Sequence, residues 1–287
     1  MCKAEAWRID RWSSPGQSAQ PPHPPPRRYA VCFDSDSVPP IAGDPTAVVR
    51  RESRTLTAAD GAVFLAFMAR PQTSTDVGVV VMPDVRGLYR FYRELAVRFA
   101  ESGHSAVAID YFGRTAGIGE RDQDFPFMDH IVQTTRAGVQ ADVDAAAAYL
   151  RSPEGGSCRA VFTIGFCFGG RRSFVAAAIA RDLTGVIGFY GGLGPGPDGP
   201  GPTALVESMS VPVLGVFSGT DDAIPPTDVS EFERALADAR VGHEVITYPE
   251  APHSFFDRRH DEYADASADA WRRVLAFIDR HGSRKGL

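Results

Sequence analysis

Short apolar runs alternate with longer helix-like stretches over most of this chain, and that alternation constrains the fold more than any other feature. A hairpin signal comes first, with two apolar segments on either side of Asp60-Gly61. The predicted strands then cover residues 77–82, 105–109, 160–165, 185–190, 213–217 and 244–248, and the predicted helices cover 89–102, 136–151, 170–181, 229–240 and 262–281. Continuous apolar strands separated by amphipathic helices are typical of a parallel sheet. The sequence therefore predicts the α/β class, a mostly parallel central sheet with helices on both faces.

The first 50 residues differ in composition from the rest. Residues 13–27 are polar and rich in proline, which predicts an extended or disordered tail rather than a docking segment for a proline-binding partner. With 287 residues, the chain is long enough for one large domain and short for two. We expect a proline-rich, partly disordered N-terminal extension over residues 1–50 and one α/β domain over residues 51–283, to which the candidate functional residues below belong.

Charge and cysteine content exclude several classes of function. The formal net charge of -6 argues against nucleic acid as a partner. Four cysteines (Cys2, Cys32, Cys158 and Cys167) match neither a zinc site nor a disulfide framework, so we expect reduced thiols and no metal. No apolar run reaches the roughly 20 residues of a membrane helix, and the N-terminus shows no secretion signal. These features predict a cytoplasmic protein without membrane contact and leave its oligomeric state open.

One cysteine lies at the apex of a strand–turn–helix pattern. Gly165-Phe166-Cys167-Phe168-Gly169 follows the apolar strand at 160–165 and opens into an alanine-rich helix. This is the G-x-S-x-G nucleophile elbow of hydrolases with sulfur in place of oxygen. Glycines on both sides suit a strained apex with close backbone neighbours. A buried cysteine between glycines would look the same, so the interpretation depends on finding catalytic partners.

Candidate partners follow three other predicted strands. Asp84 comes after 77–82, Asp221 and Asp222 come after 213–217, and His253 comes after 244–248. The carboxyl ends of parallel strands meet at one edge of the sheet, where such folds bind ligands. Taken alone, His253 could be a surface histidine and the aspartates could be turn formers. The order of nucleophile, acid and histidine, however, is the one used by α/β-hydrolases, which favours a catalytic site.

These motifs together resemble the dienelactone hydrolase family over about residues 50–280. The resemblance rests on the elbow, on Gly219-Thr220-Asp221 followed by Ile224-Pro225, and on Pro252-His253-Ser254-Phe255. It implies a single-domain α/β-hydrolase fold and an enzyme that opens an unsaturated lactone or cleaves a related ester without a cofactor. The family pattern also selects Asp221 over Asp222 as the acid.

The chemistry expected of such a site assigns a role to each group. Cys167 would attack the acyl carbon, His253 would take the thiol proton, and Asp221 would orient the imidazole. The backbone N–H groups of Val85 and Phe168 would bind the oxyanion of the tetrahedral intermediate that precedes a thioester.

Asp84 stands where the family has a glutamate that contacts the resting thiol and takes its proton. Aspartate is one methylene shorter, so its reach to Cys167 is open. The alternatives for Asp84 are a solvated loop carboxylate and an N-cap for the helix that begins near residue 89.

Substrate-binding residues are less well defined. Relatives hold the substrate carboxylate with arginines, and one of those positions is Asp257 here, with Arg258 and Arg259 beside it. We take Arg86, Ser254 and Arg258 as candidates. Two further arginines, Arg114 and Arg121, lie in the loop after 105–109 and have no secure alignment.

The aspartate at position 257 favours a substrate other than dienelactone itself. The expected partner is a small ester or lactone. The alternatives are a broader esterase or thioesterase, and a non-catalytic scaffold in which Cys167 is a redox-sensing thiol.

Overall fold

A sheet of eight strands forms the centre of the part of the chain that the computed structural model describes, which is residues 36–44, 46–73, 75–122, 124–256 and 261–282. The strands lie in the order β1-β2-β4-β3-β5-β6-β7-β8. β1 and β2 form an antiparallel hairpin, β2 is antiparallel to β4, and the other neighbouring pairs are parallel. The strands are β1 (Val49–Thr57), β2 (Val63–Pro71), β3 (Val77–Met82), β4 (Ser105–Ile109), β5 (Ala160–Phe166), β6 (Gly185–Phe189), β7 (Val213–Ser218) and β8 (His243–Tyr248).

Helices cover both faces of this sheet. Every residue of β3, β4, β6 and β7 is buried, and side chains of a strand alternate between faces, so both faces are covered. The helices are α1 (Arg90–Glu101), α2 (Gly113–Ala116), α3 (Phe127–Ile131), α4 (Arg136–Arg151), α5 (Phe168–Ile179), α6 (Pro226–Asp238) and α7 (Ala264–Gly282). The predicted α/β class and mostly parallel sheet are confirmed.

Three details of the helices differ from the sequence prediction. Helix α5 begins at Phe168 rather than at residue 170, directly after the apex cysteine. Helix α6 begins at Pro226 rather than at 229, because proline has no N–H to leave unpaired in the first turn of a helix. The short helices α2 and α3 were not predicted, since four or five residues carry no helical period.

The N-terminal boundary stays a prediction. Residues 1–35, which include the proline-rich stretch, lie outside the described residues, and β1 begins at Val49. In the part of the chain that the structure describes, no helix has the length and apolar content needed to cross a membrane.

Parallel pairing brings the candidate residues to one edge of the sheet. Met82 at the end of β3 lies opposite Gly165 near the end of β5. Ser218 at the end of β7 lies opposite Tyr248 at the end of β8. The segments that carry Asp84, Cys167, Asp221 and His253 therefore leave the sheet on the same side.

Candidate active site

Cys167 occupies a strained turn between β5 and α5. Its backbone has φ 52° and ψ -109°, and a positive φ is uncommon for any residue other than glycine. Two hydrogen bonds hold this conformation. The Cys167 N–H donates to the carbonyl oxygen of Phe189 at 3.0 Å, and the Arg171 N–H donates to the carbonyl oxygen of Cys167 at 3.0 Å. This is the backbone shape expected of a nucleophile elbow.

The glycines beside Cys167 are required by backbone contacts. A Cβ atom at Gly165 would lie 2.0 Å from the carbonyl oxygen of Gly169. A Cβ atom at Gly169 would lie 2.2 Å from the carbonyl oxygen of Met82 and 2.3 Å from that of Pro83. The first turn of α5 therefore packs directly on the backbone of the β3–α1 loop, which brings the segments of Phe168 and Val85 together.

His253 is held by Asp221 and not by its neighbour Asp222. The His253 Nδ1 and the Asp221 Oδ2 are 2.6 Å apart. The other oxygen of Asp221 accepts the N–H of Ala223 at 2.9 Å, so the carboxylate is fixed by its own turn. Asp221 is buried, whereas Asp222 is exposed. With Nδ1 on the carboxylate, Nε2 is the ring nitrogen available to Cys167.

The environment of His253 favours its charged form. Burial of the ring opposes the charge, but hydrogen bonds to Asp221 and to the Cys167 sulfur outweigh burial and raise the pKa of His253 to about 10. The ring of Tyr190 lies against the imidazole, with the ring centroids 4.8 Å apart. The thiolate is the reactive form of cysteine, and a positive charge on the ring beside the sulfur would stabilise it.

The two backbone N–H groups expected to bind an oxyanion belong to Phe168, directly after Cys167, and to Val85, in the loop that packs against the first turn of α5. Within the described ranges, neither Val85 N–H nor Phe168 N–H donates a hydrogen bond to any protein group. Both residues are half-buried. An N–H group without a protein acceptor, close to a nucleophile, is what stabilisation of a tetrahedral oxyanion requires.

Asp84 is neither a solvated loop carboxylate nor a helix cap. Its side chain is fully buried, and its Oδ1 accepts the N–H of Arg86 at 2.9 Å. The N-cap of α1 is Tyr89, whose side chain makes no capping hydrogen bond. Both of the structural alternatives for Asp84 are therefore wrong, because its loop turns inward toward the elbow.

Among the arginine candidates, the structure describes three. Arg114 is bound by the carboxylates of Asp142 and Asp60, and Arg121 is bound by the carboxylate of Asp110. Those ion pairs occupy their guanidinium groups within the fold, which leaves neither suited to hold a substrate.

Arg86 is mostly buried, and its guanidinium stacks over the Tyr89 ring at 4.5 Å. Together they line a cavity of about 710 Å³ to which Cys167 does not contribute. Ser254 is buried directly after His253, with φ 67°. Arg258, Asp257 and Arg259 lie outside the described residues.

The sequence interpretation missed a cluster of three arginines at the same edge of the sheet. Arg136, Arg171 and Arg172 surround the carboxylate of Asp198, in the loop after β6. The guanidinium of Arg172 also lies 4.6 Å from the centroid of the Phe168 ring. The one available signal was the pair of consecutive arginines inside a buried, alanine-rich helix.

Within the described ranges, no group of three or more histidine, cysteine, aspartate or glutamate side chains is arranged to hold a metal ion.

Comparison with known proteins identifies the family. The model of the dienelactone hydrolase family matches residues 64–282, well over half of the chain. The chain belongs to the dienelactone hydrolase family. A protein of Salmonella typhi that is provisionally named as a carboxymethylenebutenolidase is 31% identical over 229 residues, which cover 77% of this chain and 84% of that protein.

Two further relatives agree. The carboxymethylenebutenolidase of Rhodococcus opacus is 27% identical over 258 residues, which cover 88% of this chain and 97% of that protein. A crystal structure of a Klebsiella pneumoniae protein provisionally named as a dienelactone hydrolase matches with a TM-score of 0.70 at 27% identity, covering 80% of this chain and 98% of that one. The protein therefore has the α/β-hydrolase fold and is a hydrolase of ester or lactone bonds.

Proposed function

We propose that this family member hydrolyses small esters or lactones through Cys167, with His253 as the acid and base and Asp221 as the group that orients it. The observation that carries this proposal is the hydrogen-bonded series from Asp221 through His253 to the sulfur at the elbow apex. Three side chains from three strand ends would have little reason to meet in this way in a scaffold without activity.

The reaction divides into two steps that share one oxyanion site. The Cys167 thiolate attacks the acyl carbon, the carbon–oxygen bond of the ester breaks, and the His253 imidazolium gives its proton to the leaving alcohol oxygen. A thioester remains on the sulfur. Water then attacks the thioester, His253 takes a proton from that water, and the acid product leaves as the thiolate is restored. In a lactone, acid and alcohol stay in one molecule.

Charge at the site supports a resting thiolate rather than activation by a free base. Because the pKa of His253 is raised to about 10, the imidazolium is the resting partner of the sulfur at neutral pH. The buried carboxylate of Asp84, in the loop against the elbow, acts in the opposite direction, because a negative charge there opposes a thiolate nearby. We propose that Asp84, at the position of the family glutamate, helps to set the balance between the thiol and thiolate forms of Cys167. A thiol nucleophile works only while reduced, which fits a cytoplasmic enzyme.

Hydrolysis of p-nitrophenyl acetate and of a panel of neutral and anionic lactones tests the proposal. Cys167→Ala and His253→Ala should each lower kcat/KM by at least about 1,000-fold, since removal of a member of such a triad costs on that order or more. Cys158→Ala is the matched control, because Cys158 is a second cysteine that is buried ahead of β5, at the end of the strand away from the elbow.

Full activity in Cys167→Ala would refute the mechanism. Alkylation of Cys167 without hydrolysis of any substrate would favour a redox-sensing thiol instead. Arg258→Ala belongs in the same series, where a larger loss on anionic than on neutral substrates would mark it as a substrate-binding residue.

A further inference from the structure

Tyr111 bonds to the backbone that carries one of the two candidate oxyanion donors. It lies two residues after the end of β4 and is fully buried. Its hydroxyl donates to the carbonyl oxygen of Pro83 at 2.5 Å and to the carbonyl oxygen of Asp84. These are the two peptide carbonyls that immediately precede Val85. A tyrosine from a neighbouring loop therefore holds the oxyanion loop by its main chain.

The second of these bonds sets the direction of the Val85 N–H. The carbonyl of Asp84 and the N–H of Val85 belong to the same peptide group, which is planar and trans. In a trans peptide the C=O and N–H bonds point in opposite directions, so a bond that fixes the carbonyl also fixes the N–H. A donor on the carbonyl oxygen polarises the amide as well, which makes its N–H a stronger donor.

A second tyrosine holds the preceding peptide. The hydroxyl of Tyr92, in α1, accepts the N–H of Asp84 at 2.9 Å, and Tyr92 is also fully buried. The ring of Tyr111 packs against the ring of Phe168, with the centroids 5.2 Å apart. Tyr111 therefore contacts both segments that carry the candidate donors, one through its hydroxyl and the other through its ring.

The hydroxyl of Tyr111 remains a donor at any working pH. Burial, followed by the negative charges of Asp84 and Cys167, raises the pKa of Tyr111 well above its usual value. The hydroxyl is thus protonated whenever the thiolate is present, and its hydrogen stays on the carbonyl oxygens.

We propose that Tyr111 is a positioning residue that aims the Val85 N–H at the oxyanion of the acyl-transfer reaction. This inference rests on the function proposed above. Tyr111 does not touch the reacting atoms and acts through the Asp84–Val85 peptide. Its removal should therefore slow the steps that develop an oxyanion and leave the nucleophile itself unchanged.

Tyr111→Phe removes the hydroxyl and keeps the ring. With p-nitrophenyl acetate we expect kcat to fall about 10- to 100-fold while KM stays within about 2-fold of the wild-type value. This fall in kcat is smaller than the loss on deleting an oxyanion donor outright, because the Val85 N–H is still present. The rate of Cys167 alkylation by iodoacetamide, followed by peptide mass spectrometry, should stay within about 2-fold. That reaction displaces iodide at a saturated carbon and forms no oxyanion. Tyr149→Phe, at the far end of α4, is the control that removes a tyrosine hydroxyl elsewhere and should change neither rate.

Two results would overturn the inference while the proposed function stands. One is a folded Tyr111→Phe enzyme with wild-type kcat, and the other is an equal fall in hydrolysis and alkylation, which would mean a general disturbance of the elbow. A wild-type protein whose Cys167 is alkylated but which hydrolyses no ester or lactone would instead refute the proposed function and this inference with it.

Tyr92→Phe provides a second test that does not depend on the folding of the first variant. It releases the same loop from the other side, so kcat should fall without a change in the alkylation rate. If Tyr111→Phe does not fold, an unchanged kcat in the folded Tyr92→Phe enzyme would overturn the inference.

Discussion

Replacement of Asp221 by asparagine tests the charge state assigned to His253. The pKa of His253 is raised from 6.5 to about 10, a difference of about 3.5 pH units. At 1.36 kcal/mol for each pH unit, the site favours the charged ring by at most about 5 kcal/mol. The side chain of His253 is 26% exposed, so solvent screening reduces this figure. Asp221 and Cys167 share the effect, and loss of one nearby negative charge changes a pKa by about 1 to 3 units.

We therefore expect Asp221→Asn to lower the pKa of His253 by about 1 to 3 units. NMR of the protein with isotope-labelled histidine measures this directly, with a His253→Gln variant to assign the signal. The wild-type ring should remain an imidazolium until the pH approaches 10. Asp222→Asn, which changes the exposed neighbour, is the matched control and should leave the titration in place. A wild-type ring that titrates near pH 6.5, or one that ignores Asp221→Asn, would refute the reasoning.

The same charge state predicts how stability depends on pH. The folded-state pKa of His253 lies above its unfolded value, so its contribution is fully present below about pH 6.5 and is lost as the pH rises through about 10. The difference in free energy of unfolding between wild type and Asp221→Asn should therefore narrow between pH 6 and pH 10 in urea titrations. A difference that stays constant over that range would contradict the assignment.

Two further substitutions probe the contacts around the elbow. Gly169→Ala should lower the free energy of unfolding, measured in urea, by at least about 1 kcal/mol. The new Cβ atom would overlap the backbone of the β3–α1 loop, and this cost outweighs the gain of about 1 kcal/mol in helix propensity. Gly192→Ala is the control, because a Cβ atom there meets nothing within 4 Å, and it should change the free energy of unfolding by less than about 0.5 kcal/mol. Asp198→Asn should destabilise the protein by about 1 to 3 kcal/mol at pH 7, because it leaves three arginines without their shared carboxylate. Burial opposes the charge of Asp198, but Arg172 outweighs burial and lowers the pKa of this carboxyl group. The difference in free energy of unfolding between wild type and Asp198→Asn should therefore vanish as the pH falls below the ordinary aspartate range. A difference that persists in acid would mean that the charge of Asp198 does not cause the destabilisation.

Regular elements buried on both faces could be predicted from the sequence. The bounds of β3 and α4 agree with prediction, because a strand covered on both faces appears as an unbroken apolar run and α4 has a clear helical period. Because parallel strands all end on the same side, their sequence positions after predicted strands put Cys167, Asp221 and His253 at one edge of the sheet. The order of nucleophile, acid and histidine then indicated a catalytic set.

Partners that are distant in sequence could not be predicted in the same way. Tyr111 and Pro83 are 28 residues apart, and no local pattern links a hydroxyl to a main-chain carbonyl. The same holds for Arg114, whose partner Asp142 is 28 residues away. The sequence could name arginines in the right loop, but only packing decides which of them are already held by a carboxylate.

The conformation at position 167 depends on its neighbours and not on the sulfur. The positive φ, the bond from its N–H to Phe189 and the contact of Gly165 with Gly169 all involve main-chain atoms. A hydroxyl at this position would therefore meet the same histidine from the same direction. Replacement of the thiol by a hydroxyl would thus change the proton affinity of the nucleophile beside His253 and leave the backbone of the turn as it is.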